Sequence, residues 1–555
     1  MNKKVCSFPI LFALLALVIG TCAVVFPASA QAAPTSTGSI TVSGTVASSY
    51  DAYQIFDANV IDGDNDAKIA TDLAWASDAA RDAALPVLHS AGMPKFQTTA
   101  QEAAEWLNAD SHLTSALSAQ LARSLQSSGA ASVALNAGRA AELPCGYWLI
   151  VADDDAIAQG EAGTAPIMVL VGGSAVTVKP KAATPKVAKH VLEDGTASWQ
   201  KAADATVADD LYWRLSATIP AGLTAYDTYT VQFVDTMGAG LDPSKVAASM
   251  RVYVVAGVDG GFDAVQTGKD GHAVTEPAKG WIDITAQCAT KVAADGTFTV
   301  RTGDLIAALG GADAFTAGAR VVAVYNAPLN SACNHGIAKG NPNEVYLRYP
   351  RSPFADQSGD AGFTRTPSDD ACAYTWDLAL TKRGSDGDKP LAGAVLSIAD
   401  DRGRTLAADG MWDAEGKATV TTGEDGRVTV SGVDSGKLGV REPRAPKGYT
   451  AFEGARSVTV KAEGLDVDQV AAAKPKLTIT AESPLRADSA DGSTGSLEAS
   501  IINTPAGTPP SITTGGFMPL TGDMAMYAVA AAAVAGAALI VVALLIKRGG
   551  GSHKE

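Results

Sequence analysis

Short runs in which apolar and polar residues alternate cover most of the chain. In its first third, stretches whose apolar residues recur with the period of a helix lie between these runs. Between residues 35 and 178, four runs predict strands: GSITVSGTV, YDAYQIFDA, GYWLIVADD and APIMVLVGG. Between the second and third runs, alanine-rich stretches have the period of amphipathic helices: SDAARDAALPVLHSAG, TAQEAAEWLNAD and LTSALSAQLARSLQSSG. The pattern predicts an α+β domain, which we place at residues 31–181.

The rest of the chain is predicted to be almost entirely β. Residues 183–355 contain runs such as DLYWRLSATIP, YTVQFVD, ARVVAVYNAPL and NEVYLRYP, separated by Gly, Asp and Asn turns. Residues 374–505 repeat this style with TWDLALTK, AVLSIAD, GRVTVSGV and LEASIIN. We therefore predict two Ig-like β-sandwiches, at residues 182–372 and 373–505. The predicted fold class is mainly β: tandem sandwiches after an α+β domain, in an elongated multidomain rod.

Both ends of the chain have apolar runs that suit export and membrane insertion. Residues 1–30 combine two lysines, an apolar run and Ala-Ser-Ala, which predicts a secretory signal peptide. Residues 506–517 are rich in Pro, Gly, Ser and Thr and are predicted to be an extended spacer. The run from Met524 to Ile546 has 23 residues without a charge and precedes a basic tail. We predict a transmembrane segment at 523–546 and a cytoplasmic tail at 547–555.

Charge and composition exclude several classes of function. Without the signal and everything after Gly522, 38 basic residues face 57 acidic ones, a net charge of −19, which argues against binding nucleic acid. No CxxC pair, HExxH, phosphate loop or Ser/His/Asp order is present, so no metal, cofactor or enzymatic turnover is predicted. Outside the signal the cysteines are Cys145, Cys288, Cys333 and Cys372. A disulfide between Cys288 and Cys333 is plausible, although sequence does not fix the connectivity.

The C-terminal run follows a recognisable motif, MPLTGD. Together with the apolar run and the basic tail, it resembles the Leu-Pro-x-Thr-Gly cell-wall sorting signal of Gram-positive surface proteins, with a methionine in place of leucine. In that family a sortase cysteine cuts between Thr and Gly. The resemblance implies that Thr521 is the acyl donor and that peptidoglycan is the final anchor. The residues of the motif are Met518, Pro519, Leu520, Thr521 and Gly522.

An acceptor amine is suggested by AVTVKPKAATPK, residues 175–186. It resembles the pilin motif Val-x-Val-Tyr-Pro-Lys of sortase-assembled fimbriae, although a lysine replaces the usual tyrosine. The resemblance nominates Lys181 as the acceptor, with Lys179 and Lys186 as rivals. A basic linker without such a role is the alternative interpretation.

The stretch VREPRAPKGY, residues 440–449, resembles the E-box of these pilins, whose Ala-Pro-x-Gly-Tyr half is intact here. In the family, the E-box glutamate promotes an amide bond between a lysine on the first strand of a domain and an asparagine on its last. The resemblance therefore implies Glu442 as the acid, Lys382 in DLALTKRG and Asn503 in EASIINTP. Otherwise Glu442 would simply end a strand and face solvent.

The middle sandwich offers a looser set. TPKVAKHV nominates Lys189, VQFVDTMGAGL nominates Asp235, and NEVYLRYP resembles the family's final strand and nominates Asn343. A linker lysine and two turn residues are the alternative. No strand-borne lysine is predicted in the first domain, so no such bond is expected there.

Together these motifs resemble the major, shaft-forming pilins of Gram-positive fimbriae. The implied function is structural: a sortase joins Thr521 of one subunit to Lys181 of the next, and the fibre serves adhesion on the cell surface. The implied partners are sortase, identical subunits, peptidoglycan and a surface ligand, with the membrane involved only transiently. A wall-anchored adhesin that does not polymerise is the second interpretation, and a surface hydrolase, which lacks a catalytic constellation, is the third.

Overall fold

The computed structural model describes residues 36–507 except 65–66, 110, 181–183, 222, 256–279 and 409. The described chain forms three units in sequence order. The first two meet where Arg123 bonds the backbone of Ala225, and the second and third meet where Gly336 bonds Thr375. The predicted fold class, mainly β with an α+β unit first, is confirmed.

The first unit packs three helices against one of two sheets. Strands β2, β3, β4, β6 and β7 form the larger sheet, and β1, β5 and β8 form a smaller one in which β1 and β8 are parallel. A threonine or serine caps the start of each helix, as expected where the first backbone N–H groups have no partner in the helix. The elements are β1 (Thr37–Val42), β2 (Ser49–Asp62), β3 (Lys68–Trp75), α1 (Asp78–Ser90), α2 (Ala100–Asn108), α3 (Ser115–Ser128), β4 (Ser132–Asn136), β5 (Ala140–Pro144), β6 (Gly146–Ala152), β7 (Ile167–Val171) and β8 (Val176–Val178).

The middle unit is a sandwich of a six-stranded and a seven-stranded sheet around one apolar core. The first sheet has the order β10-β9-β12-β18-β14-β15, and the second has β11-β21-β19-β13-β17-β16 with β20 beside β19. The elements are β9 (Val187–Glu193), β10 (Ser198–Gln200), β11 (Ala202–Asp204), β12 (Tyr212–Thr218), β13 (Gln232–Met237), α4 (Val246–Ser249), β14 (Arg251–Val255), β15 (Trp281–Asp283), β16 (Ala289–Val292), β17 (Thr297–Arg301), α5 (Leu305–Leu309), β18 (Arg320–Asn326), β19 (Asn341–Pro350), β20 (Phe363–Arg365) and β21 (Asp369–Tyr374).

The C-terminal unit is a second sandwich, of a four-stranded and a seven-stranded sheet. The first sheet has the order β27-β22-β32-β31, and the second has β25-β24-β23-β28-β29-β30 with β26 beside β23. The elements are β22 (Trp376–Gly384), β23 (Val395–Ala399), β24 (Thr405–Leu406), β25 (Trp412–Asp413), β26 (Val420–Thr421), β27 (Arg427–Val433), β28 (Gly436–Arg444), β29 (Arg456–Glu463), β30 (Lys476–Ala481), β31 (Leu485–Asp491) and β32 (Ser496–Asn503).

Two predictions about the strands need correction. The strand that carries Asn343 was expected to end the middle sandwich, but β20 and β21 follow β19, and β21 pairs with β19 on one side and with β11 on the other. Strand β21 also extends to Tyr374, two residues beyond the sandwich boundary predicted at 372.

The predicted signal peptide, spacer, sorting motif and transmembrane segment lie outside the described residues, apart from the first two residues of the spacer. Within the described part of the chain, no helix combines the length and the apolar character needed to cross a bilayer.

Candidate functional site: two buried lysine–acid–asparagine clusters

The three residues nominated in the C-terminal sandwich come from three strands and face one core. On β22, β28 and β32, every second residue points inward, and Lys382, Glu442 and Asn503 occupy inward positions of this alternation. Strands β22 and β32 are parallel neighbours in which Lys382 is opposite Ile501, so Asn503 lies one inward position further along. Glu442 reaches them from the opposite sheet. The half-buried strand of the E-box therefore carries its acid on the core face, not toward solvent.

The side chains of these residues form a closed set of hydrogen bonds, the C-terminal cluster. The Lys382 amine donates to Asn503 Oδ1 at 2.5 Å and lies 2.9 Å from Glu442 Oε1. The Asn503 amide donates to both carboxylate oxygens, at 3.0 and 2.9 Å. The acid thus contacts both the amine and the carboxamide directly.

Burial sets the electrostatics of the C-terminal cluster. Lys382 is 0% exposed, and the Phe452 ring lies 5.4 Å from its amine. Removal from water disfavours the ammonium form and lowers the pKa of Lys382 to about 8, against the opposing pull of Glu442. A neutral amine is therefore accessible near physiological pH, and only a neutral amine has a lone pair with which to attack a carbonyl.

The middle sandwich brings its three nominated residues together in a different way. Lys189 lies on β9, the first strand of the unit, while Asp235 and Asn343 lie on β13 and β19 in the facing sheet. Asn343 pairs with Met237, so Asp235 occupies the adjacent inward position on the neighbouring strand. All three residues are 0% exposed. None of them is a linker or turn residue.

A tyrosine that the sequence did not single out completes this middle cluster. The hydroxyl of Tyr325, on β18, lies 3.0 Å from the Lys189 amine, 3.1 Å from Asp235 Oδ2 and 2.9 Å from Asn343 Nδ2. The Lys189 amine also donates to Asp235 Oδ2. In the sequence, Tyr325 sits in the run ARVVAVYNAPL, where an aromatic residue is indistinguishable from a core residue.

Burial shifts both charged partners of the middle cluster toward their neutral forms. Desolvation lowers the pKa of Lys189 to about 8 and raises the pKa of Asp235 to about 6. Among the described residues, Asp235 Oδ1 and Asn343 Oδ1 have no hydrogen-bond partner although both are buried. A proton on Asp235 would neutralise its carboxylate, the form that burial favours.

The first unit differs from the prediction in one respect. Lys68 begins β3, so a strand-borne lysine does exist there. Its amine, however, bonds the backbone oxygens of Gly172 and Ser174 and the carboxylate of Asp62 at the edge of the unit. No asparagine side chain accepts from it in the described structure, which leaves the expectation of no amide bond in this unit in place.

The residues nominated for polymerisation are mostly outside the described part of the chain. Lys181 and the sorting motif from Met518 to Gly522 are not described. The rival lysines Lys179 and Lys186 are exposed and lie between β8 and β9, at the junction of the first two units. The two rival lysines therefore belong to the connection between the units.

The structure does not contain the candidate disulfide. The four cysteines among the described residues are free thiols. Cys288 contacts the backbone oxygen of Ile284, whereas Cys333 contacts the ring of His335, so the two thiols have separate surroundings.

Comparison with known families identifies the C-terminal sandwich. A family described as SpaA, prealbumin-like fold domain, matches residues 377–474. This range includes Lys382 and Glu442 but ends before Asn503.

Individual proteins similar to the chain include surface proteins and pilins of Gram-positive bacteria. The chain is 29% identical over 134 residues to the trypsin-resistant surface T6 protein of Streptococcus pyogenes serotype M6, a match that spans 23% of each protein. Among solved structures it is similar to the T6 backbone pilin of the same organism, with 16% identity, a TM-score of 0.45, and coverage of 86% of this chain and 100% of that one. The major pilin SpaD of Corynebacterium diphtheriae is similar at 14% identity and a TM-score of 0.40, with coverage of 85% and 98%. Residues 377–474 thus match the SpaA prealbumin-like domain family, and the chain is similar to Gram-positive major pilins, as its motifs predict.

Proposed function

We propose that this protein is the structural major pilin of a Gram-positive fimbria. Sortase would cleave after Thr521, and the acyl group would pass to the Lys181 amine of the next subunit, with Gly522 leaving in the first step. Because each subunit uses one donor and one acceptor at different places, the polymer stays open and grows as a filament. The observation that carries the proposal is the pair of buried lysine–acid–asparagine clusters, which suits a subunit that must bear tension.

Each cluster would form one intramolecular amide bond. In the C-terminal cluster, the neutral Lys382 amine attacks the side-chain carbonyl carbon of Asn503, a C–N bond forms, and the Asn503 nitrogen leaves as ammonia. Glu442 contacts both nitrogens, so it can take the proton lost by the amine and deliver it to the departing nitrogen. The reaction happens once per site, because it consumes the lysine and asparagine side chains, so there is no catalytic turnover.

In the middle cluster the same bond would join Lys189 to Asn343, with Asp235 as the acid. Tyr325 stands between the amine and the amide, and its hydroxyl contacts all three partners. We assign it the role of positioning them and of relaying a proton. The neutral amine and the protonated acid are the forms that burial favours at this site.

The proposed bonds have a mechanical purpose. In the C-terminal sandwich the bond would join the first strand to the last described strand, so force entering at β22 would leave through β32 without separating the sheet. A cross-link over 121 residues also restricts the unfolded chain, by analogy with a disulfide closing a long loop. Peptidoglycan would take the place of the acceptor at the base of the fibre, and an unidentified surface ligand would be bound by its exposed faces.

A polymerisation assay separates this function from a wall-anchored adhesin that stays monomeric. Cells that express the protein with its sortase should give a ladder of high-mass species that survives boiling in detergent. Lys181→Ala should abolish the ladder, whereas Lys179→Ala and Lys186→Ala, the matched exposed neighbours, should retain it. A ladder that persists in Lys181→Ala would remove this residue as the acceptor, and no ladder in the unchanged protein would favour the monomeric adhesin.

A further inference from the structure

A cysteine, a histidine and an aspartate are aligned at the joint between the two sandwiches. Cys333 and His335 lie in the loop between β18 and β19, and Asp377 lies at the start of β22 in the C-terminal unit. The Cys333 sulfur is 3.5 Å from His335 Nε2, and His335 Nδ1 is 2.7 Å from Asp377 Oδ1. This is the sequence of contacts of a nucleophile, a base and a group that orients the base.

The loop that carries the thiol is held in place by its own hydrogen bonds. Asn334 N–H donates to the side chain of Asn341 at 2.8 Å, and the Asn334 side chain donates to Gly340 O at 2.9 Å. Across the joint, Gly336 N–H donates to Thr375 O at 3.0 Å. The relative position of thiol and imidazole is therefore fixed by both units, not by one flexible side chain.

The imidazole beside the thiol is held in its charged form at this joint. The hydrogen bond to Asp377, and next the one to Cys333, raise the pKa of His335 to about 10. Asp377 and Cys333 are the titratable groups that face the ring, from β22 and from its own loop. A protonated imidazole beside a thiol stabilises the negatively charged sulfur.

Two other cysteines show what burial does without such a partner. Desolvation raises the pKa of Cys288 and of Cys372 to about 11. Both are therefore thiols that stay protonated at physiological pH. They serve as controls within the same molecule.

We propose that Cys333 is a nucleophilic thiol, activated by His335 and positioned through Asp377, that is modified by small soft electrophiles such as hydrogen peroxide. In the peroxide reaction the thiolate sulfur attacks one oxygen, the O–O bond breaks, and hydroxide leaves and takes a proton from the medium. The sulfur is oxidised by two electrons to a sulfenic acid while the peroxide is reduced to water. Cys333 is only 8% exposed, so only small electrophiles should reach its sulfur.

Alkylation of the purified full-length protein by iodoacetamide tests this inference, with peptide mass spectrometry to read all four described cysteines at once. Because only the thiolate attacks, the alkylation rate of an ordinary thiol rises about tenfold for each unit of increase in pH, as long as the pH is below the pKa of the thiol. Cys333 should instead react at a nearly constant rate from pH 6.5 to 8.5, while Cys288 and Cys372 stay almost unlabelled. Hydrogen peroxide followed by a sulfenic-acid trap should label Cys333 first.

Three substitutions distinguish an activated thiol from one that is simply exposed. His335→Gln should restore the ordinary tenfold rise of the Cys333 alkylation rate with each pH unit. Asp377→Asn should give a pH dependence between this one and that of the unchanged protein. Asp377→Glu, which keeps a carboxylate, should lie closer to the unchanged protein. Continued protection of Cys372 in each variant shows that the joint remains folded. The inference is overturned if Cys333 follows the ordinary pH profile in the unchanged protein, if His335→Gln leaves its profile unchanged, or if it is labelled only after unfolding.

Discussion

The two buried clusters use the same three residue types but differ in how the acid reaches the amide. In the C-terminal sandwich, Glu442 bonds the Asn503 amide directly. In the middle sandwich, the Tyr325 hydroxyl contacts the acid, the amine and the amide together. Glu442 reaches its amide from the opposite sheet, whereas Asp235 lies on the strand beside Asn343 and is linked to that amide through the Tyr325 hydroxyl. Both clusters therefore bring together an amine, a carboxyl group and a carboxamide, although different strands supply them in the two sandwiches.

The clusters also differ in which strands their proposed amide bonds would join. The C-terminal cluster involves the first strand and the last described strand, whereas Asn343 lies on β19, with β20 and β21 still to follow. Strand β21 is held instead by Asp369, which accepts from the Lys189 N–H at 2.7 Å and pairs with the Lys201 amine. Between Asn343 and Lys382, force would pass through hydrogen bonds and packing alone.

The largest expected effect comes from removing the acid of each cluster. Glu442→Gln and Asp235→Asn keep the shape of the side chain but cannot shuttle the proton, so each should abolish the bond of its own unit only. By analogy with a disulfide closing a loop of about 100 residues, losing one bond should cost about 4–5 kcal/mol of unfolding free energy. Urea unfolding and intact mass measure the two outcomes. Loss of both bonds from either single variant would show that the clusters are not independent.

Pulling on single molecules sharpens the mechanical difference. With both bonds in place, the stretch from Asn343 to Lys382 is the part of the two sandwiches that can still extend, by up to about 130 Å at about 3.4 Å per residue. Force spectroscopy between Lys186 and the C-terminal end of β32 should show this one extension and none from the C-terminal sandwich. A fully inextensible protein would mean that the contacts of β21 resist force as well as a covalent bond does.

An unreacted cluster lysine should add a pH dependence of stability that the unchanged protein lacks. In Asn503→Ala, Lys382 keeps its amine, whose pKa of about 8 in the folded protein lies below its ordinary value of 10.5. Between these two pH values the unfolded chain binds a proton that the folded chain does not, so stability should rise with pH by at most about 3 kcal/mol. An amide nitrogen does not titrate, so the unchanged protein should lack this rise.

Asn343→Ala is the matched variant in the middle sandwich and should show two windows. Lys189 should give the same rise above pH 8. Asp235, whose pKa of about 6 lies above its ordinary 3.8, should make stability fall as pH rises through that lower window. Urea unfolding across pH 4 to 10 reads both slopes as differences from the unchanged protein, in which His335 titrates as well. A profile parallel to that of the unchanged protein in both variants would contradict the assigned lysines.

The smallest effect should come from Tyr325→Phe. The change removes one buried hydroxyl that contacts three partners, which should cost about 1–3 kcal/mol and slow bond formation in the middle sandwich. The C-terminal bond should form at its usual rate, since Tyr325 does not contact that cluster. Mass spectra taken during refolding follow both bonds in one sample. Equal slowing of both would show a general folding defect instead of a role for the hydroxyl.

The resemblance to pilin motifs nominated the six cluster residues, and in the structure the alternation of the strands places them on inward faces. Leu438, Val440 and Glu442 alternate inward on β28, and the intact half of the E-box marks the acid. Tyr325 could not be found this way, because its hydroxyl acquires partners only when two sheets pack face to face. The continuation after Asn343 was missed for a similar reason: β20 has three residues, and β21 pairs with a distant strand.

The prediction that the first unit has no lysine on a strand failed at Lys68 for a local reason. Residues 62–68, DGDNDAK, are rich in the Asp, Asn and Gly of turns, and β3 begins at the last of them, Lys68. Likewise, Cys288 and Cys333 share a predicted domain, but sequence carries no information about the distance between their thiols. The error at Lys68 is thus a matter of where one strand begins, whereas the disulfide depends on non-local geometry.

Intact mass of the purified protein tests the central claim most directly. Each internal amide bond releases one ammonia, about 17 Da, so the account predicts a deficit of about 34 Da from the sequence mass. Peptide mapping should then recover Lys382 linked to Asn503 and Lys189 linked to Asn343. A mass equal to that of the sequence, with all four residues in linear peptides, would contradict it.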